Sequence, residues 1–445
     1  MLQTKARYNL GRIVDSLLAD NSNSNNEENN LITMRNLAFL TSFYYLNSTL
    51  DIRKDFFKNL SKNFKLIYII NSDELNFFPT IEKKYYRKTN KIDKIYPNLP
   101  KNIKLINPKN SKEFKEFANK KELLIINNIG KGFFKLKIHF LIRKIGAKQI
   151  IVNNLGSVGG MPIHIEPTKI LRLLNYHIFQ GLFNKIITPL LILLGLVPRM
   201  DLHLTCKKKE LENAKKSVIR RFLLKKKLLY SKEFKIINSR TYDALLSNKI
   251  KVEEKYIVHL NAEMNGNHEV ETRGKLNKKD LQSHYYYLRK FLNKLSKDFN
   301  KPVIVCVHPS IKKNELDKFI RSKLLKGFKI TQFKTQYYIY KSFLVTSFDT
   351  SSIVDAAILK KKIIGLWSRF MDINQIEHSK TYPKKIGYQR INFENFNYDK
   401  KNLLKLLDKN TIKYGSFIKN YHCHKKNIKG IDEIISILKQ KYNCK

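Results

Sequence analysis

The chain has 445 residues, which is too many for one ordinary hydrophobic core and suits two domains of about 150–200 residues each. A hydrophobic content of 42%, with 11% aromatic residues, indicates a globular protein and excludes an intrinsically disordered one. The net charge is +49, with basic residues spread from Lys5 to Lys445 among abundant Asn, Ile, Tyr and Phe. This pattern is typical of an AT-rich coding sequence with a solvated surface. The alternative is attraction for phosphate-bearing ligands or an anionic membrane face.

Cysteine usage indicates a reducing compartment. The four cysteines, none in C-x-x-C spacing, are Cys206, Cys306, Cys423 and Cys444. Cys306 lies within a predicted buried strand, so we expect free thiols and a cytoplasmic protein. His422 and His424 flank Cys423, but one tripeptide without a second cluster does not predict a metal site.

The sequence contains neither a predicted secretory signal nor a predicted transmembrane helix. Residues 1–30 lack the apolar core of a secretory signal. The most apolar stretch runs from Ile186 to Pro198 and falls short of the roughly 20 residues that a transmembrane helix needs. Two interpretations stay open: a buried helix, or a helix on the inner membrane face with Lys185 and Arg199 at its ends.

The first half of the chain alternates between strand and helix patterns. Residues 1–60 are predicted to be helical, interrupted by a polar run that is expected to be a loop or disordered. Short β-branched runs follow and predict βαβ units with a parallel sheet. The predicted strands are 66–70, 102–106, 123–128, 148–152, 201–206 and 235–238, with helices at 111–120 and 133–145.

The second half repeats this alternation more clearly. The predicted strands are 255–260, 302–307, 328–331, 342–347 and 362–366, with helices at 277–299, 315–325 and 352–359. Residues 399–445 are predicted to be helical. The fold class is therefore predicted as α/β, with two Rossmann-like domains facing across a cleft and helices at the C-terminal end.

A histidine motif directly follows the most apolar strand of the second half, as His308, Pro309 and Ser310. Ligands of open parallel sheets bind outside the carboxyl ends of the strands, so the imidazole is placed to donate to a phosphate or a leaving oxygen. The alternative is a strand-end histidine that bonds a neighbouring carbonyl.

A hydroxyl-rich turn joins a later strand to a helix, with Thr350, Ser351 and Ser352 at the turn and Asp355 in the first helical turn. Unpaired N–H groups and the helix dipole favour an anion there. The alternative is an ordinary helix cap. A cap explains one hydroxyl, whereas three in a row beside a second strand-end motif favour phosphate binding.

The order of motifs between Lys255 and Trp367 carries a resemblance. It runs KYIVHL, HYYYLRKF, VIVCVHPS, Thr335, LVTSFDTSS and a further apolar strand. This order resembles the C-terminal half of GT-B glycosyltransferases of bacterial capsule and lipopolysaccharide synthesis, notably sialyltransferase-like families. The resemblance covers roughly a quarter of the chain. It implies that His308 with Pro309, and Ser351 with Ser352, contact the phosphate of a nucleotide-sugar.

The catalytic base is less well marked. The acidic-acidic-glycine motif of the sialyltransferases has no well-placed counterpart here. The polar segment 261–274, after another predicted strand, offers Glu263, His268, Glu269 and Glu271 instead. We expect one of the first three to be the base, and a solvated loop is the alternative.

A glycine-containing segment of the first half, NNLGSVGGMP at 153–162, follows a predicted strand. Its GSVGG pattern is not the G-x-G-x-x-G of dinucleotide sites. It is interpreted as a flexible loop on the acceptor side, with a plain connecting loop as the alternative. His164 and Glu166 are further acid–base candidates there.

The resemblance and the motifs together predict four segments. They are a helical and partly disordered segment at 1–60, an acceptor-side domain at 61–245, a nucleotide-binding domain at 246–385 and a helical tail at 386–445. The predicted activity is metal-independent transfer of a sugar from a nucleotide-activated donor to a glycan or lipid-linked glycan. No permanently bound cofactor is expected, because the nucleotide-sugar is a co-substrate.

The sequence is also compatible with other functions. A sugar-nucleotide epimerase or a polymer phosphotransferase would use a related fold, because fold does not settle the reaction. A basic nucleic-acid-binding protein or a non-catalytic membrane-surface protein would use the charge of +49. No RRM, KH or helix-turn-helix signature accompanies that charge, so no specific nucleic-acid partner is expected.

Overall fold

Two parallel β-sheets, one of seven strands and one of six, form the framework of the protein in a computed structural model. The structure describes residues 35–41, 54–75, 99–129, 136–153, 191, 198–208, 211–212, 231–247, 250–261, 278–308, 311, 313–348, 350–371, 376 and 379–444. Helices accompany both sheets, so the prediction of an α/β protein with two Rossmann-like halves is confirmed.

The first sheet has the order β3-β2-β1-β4-β5-β6-β7, and neighbouring strands are parallel. Its strands are β1 (Asn36–Thr41), β2 (Ile67–Asn71), β3 (Ile103–Ile106), β4 (Leu123–Asn127), β5 (Lys148–Asn153), β6 (Met200–Thr205) and β7 (Ser231–Ile236). The described helices beside it are α1 (Lys54–Asn63), α2 (Ser111–Asn119) and α3 (Leu136–Lys144), with a 3-10 turn at Asp73–Leu75. The Asn110 side chain caps α2 by accepting from the N–H groups of Lys112 and Glu113.

The prediction of helix throughout residues 1–60 is wrong at β1. This strand pairs with β2 on one side and β4 on the other, near the middle of the first sheet. Leu37, Phe39 and Leu40 are fully buried, because a central parallel strand is covered on both faces. A short apolar run of this kind cannot be separated from a buried helix by periodicity alone.

The second sheet has the order β10-β9-β8-β11-β12-β13 and is also parallel. Its strands are β8 (Tyr256–Asn261), β9 (Val303–Val307), β10 (Lys329–Thr331), β11 (Ser342–Ser347), β12 (Lys362–Trp367) and β13 (Arg390–Asn392). The helices of this region are α4 (Arg240–Ser247), α5 (Lys278–Phe299), α6 (Lys313–Arg321), α7 (Thr335–Tyr340), α8 (Ile353–Ile358) and α9 (Thr381–Ile386). Sheet order places β8 and β11 side by side in the middle, which is the topological switch point of such folds.

Each sheet has a hydrophobic layer on both faces. In the second half, Ile257 faces the layer containing Leu288 and Phe291 of α5, whereas Val258 faces the layer containing Val354 and Ala357 of α8. Successive residues of a strand point to opposite faces, so an almost uninterrupted apolar strand is required where both faces are covered. These strands could therefore be recognised in the sequence as apolar runs.

The two last helices, α10 (Lys400–Tyr421) and α11 (Gly430–Tyr442), pack in different halves. Tyr414 and Phe417 of α10 join a core layer of the second sheet. Ile434 and Leu438 of α11 join a core layer of the first sheet. The segment predicted as a helical tail therefore supplies one helix to each half, in addition to strand β13.

The chain passes between the two halves at two places, and these passages are hydrogen-bonded to each other. We call residues 238–243 and 422–431 the clasp. The Asn238 side chain donates to the carbonyls of Lys425 and Ile428 at 2.5 and 2.6 Å, and its oxygen accepts from the His424 N–H at 2.5 Å. The Ser239 hydroxyl lies 2.9 Å from Nδ1 of His422. The clasp thus ties the link before β8 to the link before α11.

The start of α11 forms the other part of the clasp. The Asp243 carboxylate accepts from the N–H groups of Gly430 and Ile431 at 2.7 and 3.0 Å. Burial raises the pKa of Asp243 to about 6, although these two donors act against the rise. A Cβ at Gly430 would overlap the carbonyl oxygen of Asn238, so only glycine fits this close approach.

Several predictions of the sequence analysis fall outside the described residues. These include the loop pattern at 156–160 with His164 and Glu166, and most of the apolar segment 186–198. Among the helices that the structure does describe, none combines the length and the apolar character needed to cross a bilayer.

Candidate functional site

The carboxyl ends of β8, β9 and β11 meet at one edge of the second sheet. The strands end level with one another, since Asn261 pairs with Val307 and Leu260 pairs with Ser347. A small cavity of about 20 Å³ lies at these ends. The residues lining it are Leu260, Asn261, Cys306, Val307, His308, Thr335, Thr350 and Ser352. The structure therefore brings His308, Thr350 and Ser352, three residues singled out from the sequence, to one place.

His308 is held by the turn that follows β9. Its carbonyl accepts from the Ile311 N–H at 3.2 Å and from the Gln332 side chain at 3.1 Å. The same Gln332 nitrogen lies 2.8 Å from the carbonyl of Ile311. Gln332 follows β10, so one amide fixes the backbone on which the partly exposed imidazole stands. The backbone carbonyl of His308 is thus occupied, and the residue lines the cavity.

The turn before α8 differs from the expected helix terminus. The N–H groups of Ile353, Val354 and Asp355 bond to the carbonyls three residues earlier, at 3.1–3.2 Å. They are therefore not available to an anion, and α8 itself has only 6 residues. The side chains remain: the Thr350 hydroxyl accepts the Ser352 N–H at 3.4 Å, and the Ser352 hydroxyl makes no cap bond. Any anion here would bind hydroxyls rather than the helix end.

Among the other residues predicted to bind the phosphate or to act as the base, only Ser351 belongs to the described part of the chain. Ser351 is exposed and is not among the cavity-lining residues. Pro309 and Ser310 lie outside the described residues. The same holds for Glu263, His268 and Glu269, the three candidates for the base. Their roles stay predictions.

The thiol of Cys306 forms part of the cavity wall. Burial raises the pKa of Cys306 to about 12, although a hydrogen bond with the Thr335 side chain acts against the rise. A thiol with so high a pKa stays protonated and unreactive near neutral pH. Cys306 and Thr335 are thus part of the wall and carry no thiolate chemistry.

Asp355 lies in the first turn of α8, next to the hydroxyl turn. Burial raises the pKa of its carboxyl group to about 7, and the positive charge of Arg240 in α4 acts against this rise. Helices α4 and α8 are in contact. Asp355 does not line the cavity, and its raised pKa reduces the negative charge that it places near the cavity at neutral pH.

A second polar group lies on the α5 side of the same strand ends. The His259 ring is fully buried, with Nδ1 at 3.0 Å from the Thr346 hydroxyl. Burial, and then the neighbouring His284, lower the pKa of His259 to about 3, so the ring is neutral. Asn261 is fixed from this side by a bond from its amide nitrogen to the Tyr285 hydroxyl at 3.2 Å. These contacts position the end of β8.

Asn261, Cys306 and Gln332 were not predicted as part of the site. The signal for Asn261 and Cys306 was present, since both stand at carboxyl ends of predicted strands. Gln332 carried no local signal, because its role depends on β10 lying beside β9. Such a contact between separate strands is not encoded in a motif.

No cluster of metal-ligating side chains, with three or more His, Cys, Asp or Glu, is found within the described part of the chain. The tripeptide at His422, Cys423 and His424 belongs to the clasp. His422 is buried beside Ser239, and burial lowers its pKa to about 3. The tripeptide thus takes part in the contacts between the two links of the clasp.

No protein-family model matches the sequence, and no curated protein matches it. Similar solved structures include a provisionally identified UDP-N-acetylglucosamine 2-epimerase from Listeria monocytogenes, with 11% identity, 92% of this chain and 97% of that chain covered, and a TM-score of 0.45. A glycosyltransferase from Rickettsia africae has 12% identity, coverage of 92% and 98%, and a TM-score of 0.44. The wall teichoic acid polymerase TagF has 12% identity, coverage of 92% and 89%, and a TM-score of 0.44. Similarities this low assign no reaction to this chain.

Proposed function

We propose that this chain is a glycosyltransferase that moves a sugar from a nucleotide-activated donor to a growing surface glycan without a metal ion. The observation that carries the proposal is the cavity at the ends of β8 and β9, where His308, Thr335, Thr350 and Ser352 converge. These residues come from separate elements of the chain, and only the fold brings them together. Strand carboxyl ends next to a topological switch point are where parallel sheets bind nucleotides.

The size of the cavity sets how a nucleotide would bind. A volume of about 20 Å³ holds one oxygen-bearing group and not a whole nucleotide. The donor would therefore lie across the mouth, with a phosphate oxygen inside. Hydroxyl groups and an imidazole are hydrogen-bond donors suited to such an oxygen.

The residues that line the cavity support sugar transfer in which hydrogen bonds stabilise the departing nucleotide. When the glycosidic bond to the phosphate breaks, negative charge grows on the departing nucleotide. Fixed donors aimed at that charge stabilise the transition state. The described lining residues include no carboxylate, and the Thr335 side chain is bonded to Cys306. The proposal therefore places charge stabilisation on His308 and on the hydroxyls of Thr350 and Ser352. The acceptor proton would pass to Glu263, His268 or Glu269.

The acceptor and its location belong to the same proposal. A glycan or lipid-linked glycan at the cytoplasmic face of the membrane fits a chain with a net charge of +49, since anionic membrane surfaces attract basic proteins. The charge supports proximity to such a surface, and the acceptor could be neutral or anionic.

A thermal-shift screen against CMP, UDP, GDP, CDP and dTDP tests the proposal. We expect one nucleotide to raise the melting temperature of the wild type, because a ligand that binds only the folded state stabilises it. The shift should be lost in His308→Ala and kept in His424→Ala, a matched change of a histidine whose contact with the clasp is made by its backbone. A wild type that responds to none of the five nucleotides would contradict the proposal.

A second measurement separates transfer from epimerisation. The sugar-nucleotide that matches the selected base is incubated with the protein and followed by NMR. A transferase releases the free nucleotide and needs an acceptor for full turnover, whereas an epimerase leaves the nucleotide attached and changes the sugar signals. Sugar signals that change without nucleotide release would replace the proposal with the epimerase alternative.

A further inference from the structure

A groove of about 430 Å³ lies along β13, the edge strand of the second sheet, and the first turns of α10. It is separate from the cavity described above, because β13 stands three strand positions from β8, or about 14 Å at the usual strand spacing. Its lining has an unusual composition of side-chain amides: Gln389, Asn392, Asn395, Asn397 and Asn402.

Most of these amides have no partner within the described part of the chain. Asn392 is an exception, since its side-chain oxygen accepts from the Glu394 N–H at 2.9 Å. Gln389, Asn395 and Asn397 are exposed, and no side-chain hydrogen bond occupies them. Each amide presents both a donor and an acceptor, which is the pairing that a sugar hydroxyl requires.

Two aromatic rings complete the groove. Phe396 and Tyr398 line it together, with ring centroids 6.4 Å apart. Both are fixed from behind: Phe396 packs edge-on against Phe291 at 5.1 Å, and the Tyr398 hydroxyl donates to Asp298 at 2.8 Å. Rigid rings of this kind offer apolar area to the C–H faces of a sugar at little cost in conformational entropy.

Two charged side chains at the groove, Asp399 and Lys294, have partners within the protein. Asp399, the acidic lining residue, caps α10 by accepting the Asn402 N–H at 2.9 Å. Lys294, whose ammonium group lies 4.7 Å from the Tyr398 ring centroid, is paired with Asp298 at 2.8 Å. A neutral ligand therefore fits better than a charged one. A peptide strand added to the sheet edge fits poorly, because β13 has only 3 residues to pair with it.

We infer that this amide and aromatic groove is a binding site for neutral carbohydrate. The inference does not rest on the proposed transferase activity, since it uses none of the residues of the cavity at β8 and β9. A glycan bound in this groove would contact the second sheet, as a ligand of the cavity at β8 and β9 would, but it would not enter that cavity.

Saturation-transfer NMR of the full chain with maltohexaose, cellohexaose and chitotetraose at physiological salt tests the inference. Salt at this level suppresses unspecific contacts with the basic surface. We expect transfer to at least one oligosaccharide, and an affinity at least about tenfold lower in the double variant Asn395→Ala/Asn397→Ala, since two hydrogen bonds are removed. The change Asn119→Ala, at an exposed asparagine of α2, should leave binding unaltered.

Two results would overturn the inference: no transfer to any of the three oligosaccharides, or equal affinity of the double variant and the wild type. Both substituted residues are exposed, so the melting temperature of the double variant should match that of the wild type. Carbohydrate binding should also persist in His308→Ala. If this variant binds carbohydrate but no nucleotide, the carbohydrate site is independent of the nucleotide site of the proposed function.

Discussion

The clasp and the strand-end cavity are both rich in polar side chains, yet their hydrogen bonds are arranged in opposite ways. In the clasp, Asn238 and Asp243 bond to backbone groups of the facing segment. At the turn before α8, the N–H groups of residues 353–355 bond to backbone carbonyls, and the Ser352 hydroxyl is left without a cap bond. Polar side chains whose hydrogen bonds are made within the protein stabilise the fold. Polar side chains that line a cavity and keep a free hydrogen-bonding group can bind a ligand.

This contrast separates stability from binding. Changes in the clasp should lower the free energy of unfolding with or without a nucleotide. Changes at the cavity should act mainly when a ligand is present. The following changes test that division, beginning with the largest expected effect.

Gly430→Ala should destabilise the protein by about 3 kcal/mol, because a new Cβ would overlap the carbonyl of Asn238 and force the clasp apart. Urea denaturation measures the loss. Gly415→Ala in α10 is the matched control, since a Cβ there meets nothing and alanine favours helix. Equal stability of the two variants would mean that the clasp accommodates the new Cβ without a loss in the free energy of unfolding.

His422 should make the clasp sensitive to acid. Its pKa is about 3 when folded and about 6.5 in an unfolded chain, so between these values the unfolded state binds the extra proton. The stabilising contribution is complete above the unfolded value and is lost as the pH falls. Relative to His422→Gln, the wild type should lose about 2 kcal/mol between pH 7.5 and pH 5. Parallel unfolding curves of the two proteins at both pH values would argue against a neutral buried ring.

Asp243 should act in the opposite direction. Its pKa of about 6 lies above the unfolded value, so the folded state holds a proton that the unfolded state has released. Stability from this group is therefore highest at low pH and declines as the pH rises through 6. Relative to Asp243→Asn, the wild type should lose about 1 kcal/mol between pH 5 and pH 7.5. A gain over that interval would show that the bonds to Gly430 and Ile431 outweigh burial.

Ser352→Ala should have the smallest effect on the empty protein, below about 0.5 kcal/mol, because its hydroxyl caps nothing. With the nucleotide selected by the thermal-shift screen, the stabilisation should fall relative to the wild type, since one donor to the phosphate is gone. Calorimetric titration gives the loss in affinity directly. An unchanged affinity would show that the phosphate does not contact the Ser352 hydroxyl at the start of α8.

Much of the second half could be predicted from the sequence, and the reason is physical. The run at 302–307 contains the observed strand Val303–Val307, and the helix at 277–299 contains Lys278–Phe299. Strands covered on both faces must be apolar, and long amphipathic helices carry a clear period. At β1 the same logic failed, because a short apolar run fits a buried helix equally well. β13 was missed, because it lies within the segment 386–445 that was predicted as a helical tail.

The sequence by itself determined the α/β class and the placing of His308, Thr350 and Ser352 at the ends of apolar strands, because burial dictates composition along a strand. Only the tertiary structure decided that these residues share one cavity, that Gln332 supports the turn at His308, and that Ser351 stands apart from it. It also decided that α11 returns to the first half through the clasp. Each of these depends on contacts between residues far apart in the chain, and local propensity and periodicity do not report such contacts.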